Sequence, residues 1–346
     1  MAGLPNSTPS GAALSIGGIA VASPVALAPM SGVTDAPFRR MVARFGAGWV
    51  VSEMVPSDDL ALGEEEARLR AEGDGLDLHV VQIAGCEPRW MAEGAKVAAG
   101  AGAGIIDINM GCPAKRVTGG YAGSALMRDL DLAEALIAAT VAAVDVPVTL
   151  KMRLGWDEAS INAPELARRA EALGIRLITV HGRTRQQFYK GSANWSAIAA
   201  VRSATRLPLV ANGDVTTLAA ASDCLRLAQA DAVMIGRGAQ GRPWFPAQVA
   251  AHLAGAPVPD DPDLDSQRRI ATELYEDQLR HYGADVGVRH ARKHLGWALD
   301  HAAQAVGAAP AELAAARQRV LTLDQPAAVI RALAETYDMF AWRAAA

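Results

Sequence analysis

The chain has 346 residues, of which 51% are hydrophobic and 20% charged, and its formal net charge is −4. That length suits a barrel with a small appendage, and the apolar share excludes a disordered chain. The acidic balance excludes a generally adhesive nucleic-acid binder, and no basic segment hides inside it: residues 255–346 carry ten Lys and Arg against thirteen Asp and Glu.

In chain order, residues 1–24 are rich in Gly, Ser and Ala and contain no Lys or Arg. They lack the positive start of a secretory signal. No run approaches about 18 apolar residues, so no membrane span is expected. Eight short apolar runs follow, at 25–28, 49–52, 78–83, 105–109, 146–152, 177–181, 207–212 and 232–235. Helical spacing appears between them at 37–45, 88–99, 131–144, 164–173, 195–203 and 216–227. Such alternation predicts a parallel sheet with covering helices, and eight repeats favour a closed (β/α)8 TIM barrel. An open doubly wound sheet is the alternative, and the lack of GxGxxG after the first strand counts against it. The stretch 257–263, rich in Pro and Asp, reads as a linker. Helices are expected beyond it at 266–282, 287–306, 310–321 and 325–341, with Ser266 starting the first and Pro310 opening the third. The expected division is an extension over 1–22, a barrel over 23–254 and a small all-helical domain over 255–346.

Polar and Gly-rich clusters stand after the strands: Pro29-Met30-Ser31-Gly32, Asn109-Met110-Gly111-Cys112, Lys151-Met152-Arg153, His181-Gly182-Arg183, Asn212-Gly213-Asp214 and Gly236-Arg237. The C-terminal rim of a barrel is where catalytic groups gather. Each cluster alone is an ordinary turn; six on one rim converge on one mouth. The loops after strands seven and eight, Asn212-Gly213-Asp214 and Gly236-Arg237-Gly238, are candidates for a phosphate site, since Gly lets backbone N–H groups approach an anion. Lys151 is placed to neutralise negative charge on a reduced ring system. Gln82 both donates and accepts, which suits the polar edge of a flavin or pyrimidine.

Three cysteines, Cys86, Cys112 and Cys224, form no CxxC pair. Zinc and a disulfide framework are therefore disfavoured, and a reducing cytoplasm fits. A lone Cys is ordinarily an inert core residue. Cys112 instead sits in a Gly-Cys-Pro turn on the rim, where it serves as a nucleophile or as a general acid. Beside a flavin the acid role is the natural one, because a C=C bond takes a hydride at one end and a proton at the other. Lys115 and Arg116, then Arg183, Arg185 and Lys190, then Arg280, Arg289, Arg292 and Lys293 are candidates for a discontinuous basic surface near the mouth. Solvated charge is the bland account of each.

The runs from Leu27 to Arg39 and from Asn109 to Met127 resemble the tRNA-dihydrouridine synthases, and Lys151-Met152-Arg153, His181 to Arg185, Asn212 to Asp214 and Ile235 to Gly238 complete the pattern in order. The likeness is strong over 23–245 and weaker around Arg292 to Trp297; it is most like the bacterial B-type subgroup. Ser31 departs from a more usual Ala. The resemblance implies FMN in the barrel mouth, NADPH (or NADH) as reductant, and reduction of the C5–C6 bond of chosen uridines in tRNA. It implies Pro29, Met30 and Ser31 under the flavin, Gln82 and Lys151 at its rings, and His181 as a further neighbour. Asn212, Gly213, Asp214, Gly236 and Arg237 are implied at its phosphate end. Cys112 is implied as proton donor to C5 and Asn109 as a residue that orients the base. Lys115, Arg116, Arg183, Arg289 and Lys293 are expected to contact tRNA, with the helical domain gripping it; no metal or membrane partner is expected. Two rivals stand beside this reading. A flavin barrel acting on a free pyrimidine would need no helical appendage. A tRNA-binding regulatory protein would survive loss of Cys112.

Overall fold

The computed structural model describes residues 14–114, 117 and 121–345. Its centre is a closed barrel of eight parallel strands: β3 (Val25–Leu27), β4 (Trp49–Pro56), β5 (His79–Ala84), β6 (Ile105–Met110), β7 (Val148–Arg153), β8 (Ile178–His181), β9 (Leu209–Asn212) and β10 (Ala232–Ile235), with β10 pairing back onto β3. All eight expected runs are strands, and the fold is a (β/α)8 barrel followed by helices.

Side chains of a strand alternate between its two faces. Val25, Leu27, Val81, Ile83, Ile106, Ile108, Leu150, Met152, Ile178 and Val180 face outward into the main core with the helices. Ala26, Val51, Val80, Ile105, Val210 and Ala232 face inward and form a second apolar cluster that fills the barrel. Further along the same strands, the inward positions become polar: Gln82, Asp107, Asn109, Thr149, Lys151, Arg153, Thr179, His181 and Asn212 are all buried. One end of the barrel is thus a dry plug and the other a polar mouth.

Three features differ from the sequence reading. The segment expected as an extension contains a hairpin, β1 (Ser15–Ile16) and β2 (Ile19–Ala20), and Ile16 and Val21 close the apolar end of the barrel. Two short strands carry too little alternation to be legible. Residues 1–13 of that segment lie outside the described residues. Two short helices, Ser57–Leu62 and Glu65–Ala71, follow β4, where none was expected; the first ends at Gly63 in the left-handed conformation (φ 81°). Another helix, Phe245–Leu253, closes the barrel, its first turn holding Pro246.

Four helices follow: Leu264–Tyr282, Ala284–Ala305, Pro310–Leu321 and Pro326–Ala345. They share an apolar cluster of their own, including Tyr275, Leu295, Leu299, Val320, Leu333 and Phe340. Asp263, not Ser266, caps the first: its carboxylate accepts from the Ser266 N–H at 2.8 Å. An acidic group three residues earlier satisfies the amide that a Ser cap would leave free. Pro310 opens the third helix as expected, with Glu312 accepting from the Ala309 N–H at 2.6 Å.

The seam between barrel and helices is polar and specific. Buried Asp35 caps the helix Ala36–Phe45 by accepting from the Phe38 N–H at 3.0 Å, and its other oxygen accepts from Gln278 Nε2 at 2.9 Å. Arg44 forks onto Glu273, and Trp244 Nε1 donates to Asp261 at 2.8 Å. Gly241 is left-handed (φ 72°), and a Cβ there would stand 2.3 Å from the Trp297 carbonyl oxygen. Gly241→Ala is therefore expected to cost at least about 1–2 kcal/mol from backbone strain alone, with the clash added. A lowered urea midpoint would register it; an unchanged midpoint would contradict this packing.

Candidate active site

Strand register assembles the mouth in tiers. Gln82, Asp107 and Thr149 are partners across β5, β6 and β7. One step nearer the rim stand Asn109, Lys151 and Thr179. Arg153, His181 and Asn212 form the next tier. Polar groups packed this closely without water must satisfy one another. Thr149 Oγ1 donates to Asp107 Oδ1 at 2.6 Å, and Gln82 Nε2 donates to Asp107 Oδ2 at 2.6 Å. Asn109 Nδ2 donates to Gln82 Oε1 at 2.6 Å. Asn109 Oδ1 then accepts from the backbone N–H groups of Gly111 at 3.1 Å and Cys112 at 3.0 Å.

Cys112 is a free, half-buried thiol on a loop held from several sides. Besides Asn109, Arg153 Nε donates to the Gly111 carbonyl at 2.8 Å, and Ser124 donates to the Cys112 carbonyl through its N–H (3.0 Å) and its hydroxyl (2.8 Å). Gly123 (φ 60°) makes this fit possible, since a Cβ there would stand 2.8 Å from the Cys112 carbonyl oxygen.

The electrostatics follow from burial. Lys151 is pushed down to about 8 by burial and by the Arg153 guanidinium, against the opposing pull of Asp107 and Cys112. His181 is held well below its ordinary range by burial and by the Arg153, Lys151, Arg183 and Arg237 cations, so it is neutral. Arg183 Nη1 lies 3.3 Å from His181 Nε2. A guanidinium only donates, so Nε2 accepts and the ring proton sits on Nδ1. Burial pushes the Asp107 carboxyl up, opposed by the Thr149 and Gln82 hydrogen bonds and by Lys151.

On the β9–β10 side the loops form a cradle. Asn212 Nδ2 donates to the Met234 carbonyl at 2.8 Å, tying the two strand ends together, and Trp195 Nε1 donates to the Gly213 carbonyl at 2.8 Å. Gly213 (φ 121°) has no room for a Cβ, which would stand 2.7 Å from Ala193 Cβ and 2.8 Å from His181 Cδ2. Asp214 accepts from Arg183 at 2.5 Å, Arg237 at 2.9 Å and the Ala193 N–H at 2.8 Å. Its carboxylate therefore organises cations around the cradle. Among the described residues, the backbone N–H groups of Gly213, Asp214, Gly236 and Arg237 have no protein acceptor. Unpaired amides beside two guanidiniums suit a phosphate monoester.

A cavity of about 480 Å³ occupies this mouth, within the range of cofactor sites. Every residue expected at the flavin lines it, from Pro29, Met30 and Ser31 through Gln82, Lys151 and His181 to Arg237, together with Asn109 and Cys112. A second cavity of about 600 Å³ shares Ser31, Met54, Cys112 and Ala114 with the first, so Cys112 stands at their junction.

The expected basic surface fares differently. Arg183 lines the cavity but is 1% exposed, committed to Asp214 and to the Lys190 and Gly191 carbonyls. It is an internal strut, not a surface cation, because its strand-end position turns it toward Asp214. Arg280 pairs with Asp277 and Arg292 with Asp324, while Arg185 lies 5.0 Å over the Trp156 ring. Lys293 is half-buried, its Nζ 3.3 Å from where a Gly32 Cβ would be and close to buried Glu53. Arg289 is exposed, and Lys115 and Arg116 lie outside the described residues.

Several cavity residues carried no expected role. Arg153 clamps the Cys112 loop and donates to the Thr184 and Phe188 carbonyls at 2.9 Å. Phe188 and Tyr189 pack edge to face at the cavity lip, with Arg153 and Arg237 both within 6 Å of the Tyr189 ring. Inward alternation within β6 and β7 was the available signal for Asp107, Thr149 and Arg153; nothing in the sequence marked the two aromatics.

A parallel barrel whose mouth joins an anion cradle, a buried lysine and a rim thiol has the form of a barrel oxidoreductase. A family model described as dihydrouridine synthase matches residues 26–331. The chain is 60% identical to a probable tRNA-dihydrouridine synthase of Rhizobium leguminosarum bv. phaseoli, over 83% of this chain and 89% of that protein. It is 49% identical to tRNA-dihydrouridine synthase B of Xanthomonas campestris pv. campestris, over 83% and 87%. Among solved structures it resembles histamine dehydrogenase from Rhizobium sp. 4-9, with a TM-score of 0.53 and 14% identity, over 82% of this chain and 50% of that one. That last likeness concerns the fold, and this chain spans half the length of that structure. The chain belongs to the dihydrouridine synthase family and is a flavin-dependent oxidoreductase.

Removing Asp214 leaves the buried Arg183 charge without its carboxylate. Asp214→Ala is expected to cost about 3 kcal/mol, as for one half of a buried ion pair, with Asp214→Asn milder. Equal urea midpoints for wild type and Asp214→Ala would remove this role.

Proposed function

We propose that the enzyme reduces the C5–C6 double bond of specific uridines in tRNA to 5,6-dihydrouridine, using FMN and NADPH. The observation that carries this reading is Cys112, a free thiol at the junction of the flavin-sized cavity and its neighbour. The donor set fits FMN: unpaired amides and Arg237 for its phosphate, Lys151 and Gln82 for its rings, and Pro29, Met30 and Ser31 as the floor. When bound and reduced, FMN supplies the hydride that C6 of the uracil ring receives.

The chain's own residues do the rest. Cys112 holds the proton destined for C5, so hydride and proton reach the two ends of one bond. Asn109 lines the cavity and orients the base. Charged Lys151 stabilises negative charge on the reduced ring system. Neutral His181 adds no further cation beside Arg183 and Lys151. A tRNA uridine is stacked and must be extruded to reach this mouth, at a cost of a few kcal/mol. A second unit that grips the tRNA offsets that cost, and residues 255–346 are assigned this task, the barrel unit being 23–254. Exposed Arg289 is a candidate phosphate contact, and so are Lys115 and Arg116, which follow Cys112 by three and four positions in the sequence. NADPH enters the same mouth before tRNA does.

Three outcomes test this. Cys112→Ala should retain FMN and NADPH oxidation by an artificial acceptor while uridine reduction falls at least about 100-fold; dihydrouridine at wild-type rate would refute the assignment. Steady-state kinetics should give parallel lines in double-reciprocal plots, and intersecting lines would exclude shared entry. Lys151 is charged below about 8 and loses its charge above it. FMN affinity of the stripped protein should therefore weaken as pH rises from 7 to 9.5, and Lys151→Met should flatten that dependence.

A further inference from the structure

The relay behind Cys112 ends on a residue for which the proposed chemistry has no use. Asp107 lies inside the barrel below the cavity and does not line it. Both of its oxygens are occupied as acceptors, by Thr149 and Gln82. Gln82 and Asn109 each carry a terminal amide whose oxygen and nitrogen exchange places on a half-turn. With both free to turn, the chain has two senses, and only one presents Asn109 Oδ1 to the Gly111 and Cys112 N–H groups. A carboxylate only accepts. Placed at the inner end, it requires Nε2 of Gln82 to face it, hence Oε1 to face Asn109 Nδ2, hence Asn109 Oδ1 to face the loop. Reversal would bring the Asn109 NH₂ onto two backbone donors and set Gln82 Oε1 against the Asp107 carboxylate, the costly case for a dry interior.

We propose that Asp107 is a positioning residue that sets the sense of the Gln82–Asn109 amide relay and so holds the Cys112 loop in its reactive placement. It touches no reacting atom. Its effect reaches Cys112 through two amides, and reaches the flavin through whichever valences Gln82 has left over: one N–H and one lone pair, both in fixed directions. The proposal deepens the function proposed above and rests on it for the meaning of "reactive", but its first test does not need tRNA.

The test compares Asp107→Ala and Asp107→Asn. The asparagine is a conservative rescue, since its oxygen accepts from Gln82 while its nitrogen donates to a rotated Thr149 hydroxyl. In flavin-free protein, iodoacetamide labelling of Cys112 is followed by peptide mass spectrometry, with Cys86 in the same molecule as internal reference. Asp107→Ala should change the Cys112 labelling rate by about tenfold, the factor equivalent to one lost hydrogen bond, with Cys86 unchanged. In loaded enzyme it should lower kcat for uridine reduction by a similar factor of about ten while leaving KM for tRNA within about threefold. Asp107→Asn should return both readouts to within about threefold of wild type. Wild-type labelling of Cys112 in Asp107→Ala overturns the proposal. So does an Asp107→Asn protein as impaired as Asp107→Ala, which would assign the effect to charge. If Asp107→Ala does not fold, Gln82→Met breaks the same relay one link higher, and unchanged Cys112 labelling there is equally fatal. Absence of dihydrouridine from wild-type reactions, with the labelling effect intact, would instead sink the functional reading.

Discussion

Every second residue of a barrel strand points inward, and an inward residue in a closed eight-stranded barrel has no water to turn to. The rest of this molecule answers to that constraint. At the hairpin end the inward residues are apolar, from Ala26 and Val80 to Trp49, and simply fill the space. At the other end they are Gln82, Asp107, Asn109, Thr149, Lys151, Arg153, His181 and Asn212, and all of these but Lys151 hydrogen-bond to one another or to neighbouring side chains, backbone carbonyls and amides. The result is a mouth whose polar groups are already oriented before any ligand arrives. Preorganisation of this kind is what makes electrostatic help effective in a site that excludes solvent.

The loops above the strands inherit that order. Asn109 ends the relay on two backbone amides of the Gly-Cys-Pro turn, and Arg153 grips the carbonyl between them. On the opposite side Asp214 gathers Arg183 and Arg237 around unpaired amides. One side of the mouth thus presents a thiol and the other an anion cradle, with Lys151 between. The separation suits a cofactor that carries phosphate at one end and reactive rings at the other.

The helices beyond residue 263 are joined to this arrangement through specific polar contacts. Asp35 caps a barrel helix and accepts from Gln278 of the helical segment; beside that contact, Lys293 Nζ stands 3.3 Å from where a Gly32 Cβ would be, on the first rim loop. A movement of these helices would act directly on the loop that carries Ser31.

Much of the barrel was legible as a pattern. Short apolar runs separated by helical spacing located all eight strands, and the rim motifs from Pro29 to Arg237 named residues that line one cavity. Local signals suffice there, because strand burial and turn chemistry are written in adjacent residues. The hairpin at Ser15–Ala20 and the helices Ser57–Leu62 and Glu65–Ala71 were too short for any periodicity to show. What only the tertiary structure decided is pairing across strands. Arg183 and Arg289 both read as surface cations, yet one is buried on Asp214 and the other is exposed. Asp107 reads as one residue of a strand, yet register sets it between Gln82 and Thr149. Sequence determined which groups the barrel must enclose; the closure of the sheet determined which of them meet, because register joins residues that the chain itself keeps dozens of positions apart.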